Sequence, residues 1–201
     1  HIDESDKYPA AGLKVLVDVL DNNDVNIPIT CSHSSSMSLL PYKELIVLAK
    51  RLAEHKINVV ALPLTNSWLL GRSPKKTPVK RAIAPIHQLQ EVGVNVCVGG
   101  DNVQDPWFPG GNFDPIALMS FSMPIAQLAP WNRLGLAPFT SAPTFMMGLK
   151  KEGIIDVGNS AEFIVLDANS WVETLSSPPL RKIMINGSWL DLSTISIQKK
   201  I

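Results

Sequence analysis

The sequence predicts an α/β protein in which parallel strands alternate with helices, followed by a small antiparallel β-structure near the C terminus. Up to about residue 130, short apolar, β-branched runs alternate with amphipathic helical segments. That alternation is typical of parallel strands joined by crossover helices. Strand-like segments then follow at 161–167 and 181–190, and the second contains Asn186-Gly187, a strong signal for a two-residue hairpin turn.

Hydrophobic spacing defines each element in turn. In chain order we expect a helix over 7–22, a buried strand over 25–32, a helix over 42–55, a strand over 57–62, a helix over 80–91, a strand over 94–98, and helices over 114–128 and 138–150. Pro63 is expected to end the second strand and to open a polar loop that contains Asn66. The pattern alone is compatible with an open doubly wound sheet and with a (β/α)8 barrel, and no glycine-rich G-x-G-x-x-G turn favours a dinucleotide fold.

The composition excludes several classes of protein. The chain has 201 residues, of which 45% are hydrophobic and 18% charged, and this excludes wholesale disorder. Eighteen basic residues balance eighteen acidic ones, so we expect neither nucleic acid nor a membrane surface as partner. The apolar stretches are shorter than the roughly 20 residues of a membrane span. Two cysteines within apolar runs, Cys31 and Cys97, exclude a disulfide framework and favour a reducing, cytoplasmic location.

Polar residues gather where the predicted strands end, which is where parallel α/β proteins place their functional groups. The candidates are His1, Asp3 and Glu4 before the first helix, His33 after the first strand, Asn66 after the second, and Asp101, Asn102, Asp105 and Trp107 after the third. Each has an ordinary structural explanation when taken alone. Together, His and Asp form a common ligand set for a hydrolytic Zn or Fe centre, with Glu4 as a proton shuttle. The other histidines, His55 and His87, are expected to be ordinary helix residues.

Five motifs in order resemble the cytosine deaminase branch of the amidohydrolase superfamily. They are HIDE at 1–4, SHSSSM at 32–37, PLTN at 63–66 with LGR at 70–72, PVKR at 78–81, and GDNVQDPW at 100–107. The resemblance covers the chain from residue 1 to about 190. It implies that residues 1–135 are the C-terminal half of a metal-dependent (β/α)8 barrel, strands five to eight, and that 136–201 form a helix and a β-sandwich segment.

The resemblance also implies roles for the strand-end residues. His1 and Asp101 match the family's fifth- and eighth-strand ligands of one divalent metal ion, Zn or Fe. Glu4 matches the acid–base glutamate, and His33 matches the histidine that hydrogen-bonds the attacking hydroxide. Trp107 resembles the aromatic wall against the substrate ring. Asn102 stands where cytosine deaminases have a second Asp. An Asn at this position resembles the related branch that acts on alkylamino-triazines.

One family motif does not occur in the sequence. The H-x-H pair of the first barrel strand is absent, and the chain begins at His1 within a polar cluster. We therefore expect a fragment that lacks the N-terminal half of the barrel, and we expect the whole protein to be a homo-oligomer.

Three functional hypotheses follow from the sequence. The first is a metal-dependent hydrolytic deaminase of a cytosine-like or amino-triazine ring, releasing ammonia or an amine. The second is a catalytically incompetent half-barrel that acts as an assembly module for a complementary half. The third is an unrelated α/β binding protein with chance motifs. An H-x-H sequence upstream of His1 would discriminate the first from the second.

Overall fold

A three-stranded parallel sheet organises the first part of the chain. The structure is a computed structural model that describes residues 1–150, 153–177 and 179–191. Its parallel strands are β1 (Thr30–Ser32), β2 (Asn58–Ala61) and β3 (Asn95–Val98), hydrogen-bonded in the order β1-β2-β3. The predicted parallel pairing of consecutive strands is therefore confirmed.

Helices connect these strands and cover the sheet. They are α1 (Ala11–Asp21), α2 (Tyr42–Glu54), α3 (Pro63–Leu69), α4 (Ile86–Glu91), α5 (Pro115–Ala126), α6 (Arg133–Leu136), α7 (Ser141–Met146) and α8 (Trp171–Ser176), with 3₁₀ turns at Ser35–Leu39 and Ala137–Phe139. In α2 the buried side chains are Leu45, Leu48, Ala49 and Leu52, the face that the 3.6-residue period predicts. Each buried leucine contributes roughly 1.5–3 kcal/mol to folding relative to an exposed one, so this face fixes α2 against the core.

Two predicted elements are shorter in the structure because prolines limit them. The strand expected over 25–32 begins only at Thr30, and Val25 and Ile27 are exposed. Pro28 has no N–H to donate to a neighbouring strand. The helix expected over 80–91 begins at Ile86 because Pro85 disfavours helical backbone in the residue before it.

Prolines and a glycine also explain two wrong assignments of helix and loop. The polar loop expected after Pro63 begins with a helix, α3, because proline at the first helical position lacks only an N–H that has no partner there anyway. The single helix expected over 138–150 is instead broken into a 3₁₀ turn and the short α7. Pro138 lies in the 3₁₀ turn, and Gly148, with φ 70°, lies just beyond the end of α7.

The C-terminal part forms a second sheet, which is antiparallel as predicted. Its strands are β4 (Phe163–Leu166), β5 (Arg181–Ile185) and β6 (Ser188–Trp189). Asn186 and Gly187 form the predicted turn, with φ values of 50° and 76°, as a type I′ hairpin requires. Within 153–177 and 179–191 the structure shows this one sheet, so the expected β-sandwich stays a prediction. Residues 192–201 of that prediction lie outside the described residues.

An ion pair joins the antiparallel sheet to the parallel body. Arg181 of β5 donates to both carboxylate oxygens of Asp114, at 2.5 and 2.8 Å. Asp114 also caps α5 by accepting a hydrogen bond from the N–H of Ile116 at 2.9 Å. The guanidinium and the backbone N–H hold the pKa of Asp114 below its usual value. One carboxylate thus stabilises a helix start and an inter-sheet contact.

No helix in the described ranges combines the length and the hydropathy needed to cross a membrane.

We expect Asp114→Ala to lower the free energy of unfolding by about 1–3 kcal/mol, because it removes a helix cap together with a charged hydrogen-bond pair. The contribution of Asp114 is present above its unfolded-state pKa of about 3.9 and is lost as pH falls through its lower folded-state pKa. Urea unfolding between pH 2 and 7 measures this. The exposed Asp24→Ala is the control, and an equal acid decline in both variants would contradict the prediction.

Candidate active site

The candidate active site begins with a backbone pairing beside β1. The N–H of Ile2 donates to the carbonyl oxygen of Ser32 at 3.1 Å, and the N–H of Ser34 donates to the carbonyl oxygen of Ile2 at 3.0 Å. Ile2 therefore pairs in parallel with His33 and extends the sheet by one position. This pairing holds the polar segment 1–4 at the carboxyl end of β1.

The carboxylate of Asp3 anchors the same segment to α1. It accepts hydrogen bonds from the N–H groups of Gly12 and Leu13, both at 2.8 Å. These N–H groups belong to the first helical turn, where no intrahelical acceptor is available. A Cβ at Gly12 would stand 2.6 Å from Ile2 Cγ1, so glycine allows this close approach. Sequence reasoning placed Asp3 near the site but missed this role, which depends on a partner nine residues away.

Three residues of the site adopt left-handed backbone conformations. Their φ values are 56° for Asp3, 71° for His33 and 58° for Asp101. Non-glycine residues rarely adopt this conformation because Cβ approaches a backbone carbonyl oxygen. Such backbone persists where the surroundings impose it, and it is concentrated at functional sites. Its occurrence beside successive strand ends supports a functional role for this edge of the sheet.

Three of the predicted site residues, His1, Glu4 and His33, lie in one cluster. His33 Nε2 lies 2.9 Å from His1 Nδ1 and 3.5 Å from Glu4 Oε1. Glu4 Oε1 lies 3.9 Å from His1 Nδ1. The His33 side chain is only 2% exposed, whereas those of His1 and Glu4 are 69% and 45% exposed. The cluster therefore has a rigid buried member and two members open to solvent.

The buried environment of His33 favours its neutral form. Desolvation lowers the pKa of His33 below its ordinary value, and this effect exceeds the opposing attraction of the Glu4 and Asp101 carboxylates. The amide nitrogen of Asn66 lies 3.1 Å from the other ring nitrogen, Nδ1. Asn66 is 1% exposed and belongs to α3, directly after β2. The motif at 63–66 contained this residue, but sequence reasoning gave it no role.

Asp101 follows β3 and faces the same neighbourhood. Its carboxylate is close enough to His33 to affect the pKa of that ring. Asp101 Oδ2 is buried, and within the described part of the chain it has no hydrogen-bond partner. A buried carboxylate oxygen without a partner is costly, so this atom is available for a cation or a hydrogen-bond donor.

The loop after Asp101 is ordered by a residue that sequence reasoning left without a role. Asp105 Oδ2 accepts a hydrogen bond from Asn102 Nδ2 at 2.6 Å. Asp105 Oδ1 accepts from the N–H groups of Trp107 and Phe108, at 2.9 and 2.8 Å. These bonds, led by that from Asn102, hold the pKa of Asp105 below its usual value. Because a carboxylate only accepts hydrogen bonds, the amide nitrogen of Asn102 must face Asp105.

Two neighbouring aromatic residues of this loop, Trp107 and Phe108, differ in burial. Phe108 is buried and packs edge-on against Trp68, with ring centroids 6.3 Å apart. The Arg72 guanidinium lies 4.7 Å from the centre of the Trp68 ring. Trp107, the expected aromatic wall, is 63% exposed. The Asp105 turn therefore anchors Phe108 in the core and leaves the indole of Trp107 free to contact a ligand.

The donor atoms of the cluster suit a divalent metal ion. One ligand atom each from His1, Glu4 and His33 lie within 4.8 Å of one another. Imidazole nitrogen and carboxylate oxygen are ligands that Zn and Fe both accept. Asp101, the second ligand that the resemblance implies, is not one of these three residues, so its role as a ligand stays a prediction. Its buried Oδ2 has no hydrogen-bond partner within the described residues and is a further negative acceptor near them. The residues present therefore fit the metal that the sequence resemblance implies.

The two remaining histidines have ordinary structural roles. His55 follows α2, and its Nε2 lies 2.6 Å from Asp21 Oδ1 on α1. His87 lies in α4, and its Nε2 is 3.1 Å from the carbonyl oxygens of Ala126 and Gln127. Neither belongs to the metal-binding cluster, in agreement with the sequence prediction.

Two curated proteins are similar in sequence to this chain. A pterin deaminase of Rhizobium rhizogenes strain K84 is 27% identical over 194 residues, which cover 96% of this chain and 44% of the relative. The N-isopropylammelide isopropyl amidohydrolase of Pseudomonas sp. strain ADP is 32% identical over 88 residues, 43% of this chain and 22% of the relative. The chain thus spans less than half the length of these curated relatives.

A solved structure shares the fold. The crystal structure of 5-methylcytosine deaminase from Klebsiella pneumoniae with 5-fluorocytosine superposes with a TM-score of 0.80 at 24% identity. The match covers 95% of this chain and 47% of that one.

The sequence model of the amidohydrolase family matches residues 6–184, which is nearly the whole chain. That match includes α1, the parallel sheet and the loop that carries Asp101. The resemblance noted from the sequence motifs is confirmed, and this chain belongs to the amidohydrolase family.

Proposed function

We propose that the protein containing this chain is a metal-dependent hydrolytic deaminase of a small amino-substituted nitrogen heterocycle, of the cytosine or amino-triazine type. The observation that carries the proposal is the convergence of His1, Glu4 and His33 near Asp101, whose charge acts on His33 and whose Oδ2 atom is buried. The names of the relatives support it, since they describe deaminases or amidohydrolases of pterin, cytosine and triazine compounds.

We further propose that residues 1–135 supply strands five to eight of a (β/α)8 barrel. The Ile2 segment, β1, β2 and β3 occupy four consecutive parallel positions, which supports this assignment. The remaining half, with the H-x-H ligands, would come from chain that precedes His1 in the gene or from a complementary protein. In a barrel all four strand ends face one rim, where enzymes of this architecture place their catalytic groups.

His1 and Asp101 would hold the metal ion. When bound, a divalent ion lowers the pKa of a coordinated water to about 7 and so supplies hydroxide at neutral pH. Glu4 is half exposed and lies 3.5 Å from His33 Nε2, so its carboxylate accepts the proton of the attacking water. It then delivers that proton to the ring nitrogen as the water oxygen bonds to the ring carbon that carries the amine. The proton of the added hydroxyl next passes through Glu4 to the amine, the bond between carbon and the amine breaks, and the ring carbonyl forms.

His33 and the loop after β3 would stabilise and position the substrate. His33 Nε2 points into the cluster and donates a hydrogen bond to the oxygen that gains negative charge during addition. Asn102, fixed by Asp105, presents the free part of its amide to the heterocycle. The exposed face of Trp107 stacks against the planar ring.

Glu4→Gln should reduce ammonia release from the best heterocyclic substrate by at least about 100-fold, because the amide cannot carry the proton. The coupled ammonia assay measures this in the whole protein. Glu44→Gln, at an exposed glutamate of α2, is the control. If ring substrates of every type fail with a folded, metal-loaded protein, the half-barrel assembly hypothesis is favoured instead.

Asp101→Asn should lower metal content after dialysis from about one equivalent to well below it, because the change removes a negative ligand and preserves shape. Elemental analysis of the whole protein, with circular dichroism to show folding, provides the measurement. Asp6→Asn, at an exposed loop carboxylate, should retain the metal. Full metal content in Asp101→Asn would remove Asp101 from the ligand set.

Asn102→Ala should change the relative rates for cytosine, an amino-triazine and a pterin by roughly 10- to 100-fold, since a mismatched buried hydrogen bond costs about 1–3 kcal/mol. Asn102→Asp is a less suitable test. Asn102 Nδ2 lies 2.6 Å from Asp105 Oδ2, so this change would place two carboxylates side by side and disturb the loop through their repulsion. Unchanged ratios of kcat/KM in Asn102→Ala would exclude Asn102 from substrate selection.

A further inference from the structure

The two ring nitrogens of His33 face groups of opposite hydrogen-bonding character. Nδ1 lies 3.1 Å from Asn66 Nδ2, a nitrogen that only donates. Nε2 lies 2.9 Å from His1 Nδ1 and 3.5 Å from Glu4 Oε1. A neutral imidazole carries one hydrogen, and the hydrogen bond at one nitrogen decides which nitrogen carries it.

The geometry points to Asn66 as a positioning residue that fixes His33 in the tautomer with its hydrogen on Nε2. In this tautomer Nδ1 accepts a hydrogen bond from the Asn66 amide, and Nε2 donates into the His1–Glu4 side of the cluster. His33 is then a hydrogen-bond donor in the site and has no free lone pair for a metal ion. The inference thus separates His33 from the metal ligands, although it lies among the potential ligand atoms.

The Glu4 carboxylate favours the same tautomer through a second contact with the ring. If the amide oxygen faced His33, the ring would carry its hydrogen on Nδ1 and turn the Nε2 lone pair toward the Glu4 carboxylate. Two electron-rich atoms, His33 Nε2 and Glu4 Oε1, would then face each other at 3.5 Å beside a 2% exposed ring, where water screens little. Nε2 would then depend on His1 Nδ1, 2.9 Å away, for a hydrogen-bond donor. The hydrogen on Nε2 removes that repulsion.

The fold explains why Asn66 is able to act in this way. The N–H of His33 donates to the carbonyl oxygen of Val60 at 3.0 Å, so the histidine stays in register with β2. Asn66 lies in α3, whose start at Pro63 comes directly after β2, and its N–H donates to the carbonyl oxygen of Leu62 at 3.0 Å. Both side chains are fully buried, so neither ring nor amide has room to reorient freely.

The orientation of the Asn66 amide leaves its oxygen without a hydrogen bond. Asn66 Oδ1 is buried and has no hydrogen-bond partner among the residues that the structure describes. The contact between Nδ2 and His33 Nδ1 is therefore the side-chain hydrogen bond that orients this amide among the described residues.

The test is the tautomer of His33 in the whole, metal-free protein. Long-range ¹⁵N–¹H correlation spectra of the histidine rings identify which nitrogen carries the hydrogen, and a His33→Gln sample assigns the signals. We expect the hydrogen on Nε2. A hydrogen on Nδ1 in the unmodified protein would overturn the inference, and this measurement needs no variant at Asn66.

Asn66→Asp provides the second readout, because an ionised carboxylate accepts a hydrogen bond and draws the hydrogen to Nδ1. The expected result is a shift of the His33 signals toward the other tautomer, whereas Asn66→Leu should lose the preference without reversing it. Asn58→Asp is the matched control, since it introduces a carboxylate at another buried asparagine, at the start of β2. Unchanged His33 signals in both folded Asn66 variants would overturn the inference.

The catalytic consequence rests on the proposed function, whereas the tautomer does not. With the hydrogen moved to Nδ1, Nε2 no longer donates to the developing oxyanion, and kcat should fall roughly 100-fold with a smaller change in KM. A normal tautomer in a protein without deaminase activity would refute only the proposed function. A reversed tautomer in an active enzyme would refute only the role of Asn66.

Discussion

The candidate site depends on the parallel pairing of Ile2 with the chain that follows β1. Two backbone hydrogen bonds, from Ile2 to Ser32 and from Ser34 to Ile2, bring the segment 1–4 to the edge of the sheet. Without them, His1 and Glu4 would have no fixed relation to His33. The Asp3 carboxylate secures the same segment against the first turn of α1, so sheet pairing and helix capping support one arrangement.

Burial then determines what each member of the cluster can do. The ring of His33 is enclosed and has a lowered pKa, because desolvation disfavours its charged form. His1 and Glu4 remain open to solvent, so they are able to exchange protons and ligands. Asp101 combines a buried carboxylate oxygen with a left-handed backbone at the end of β3. The site therefore combines enclosed polar groups with others that are open to solvent.

Hydrogen bonds to side-chain carboxylates give the adjoining loop its form. Asp105 accepts from one amide and two backbone N–H groups, which fixes Asn102 and separates exposed Trp107 from buried Phe108. Asp114 similarly combines a helix cap with the contact to Arg181. In both places a single carboxylate joins parts of the structure that hydrophobic burial alone would leave with freedom to move.

The sequence by itself determined the alternation of strands and helices, the Asn186-Gly187 hairpin and the family, because these depend on local periodicity, turn chemistry and ordered motifs. It also identified His1, Glu4, His33 and Asp101 as candidate site residues, because parallel strands bring their carboxyl ends together. The sequence overestimated elements interrupted by proline, where a missing N–H outweighs an apolar pattern. Only the tertiary structure decided the roles of Asp3, Asn66 and Asp105, because each acts through a hydrogen bond whose direction and partner depend on how the packed elements meet.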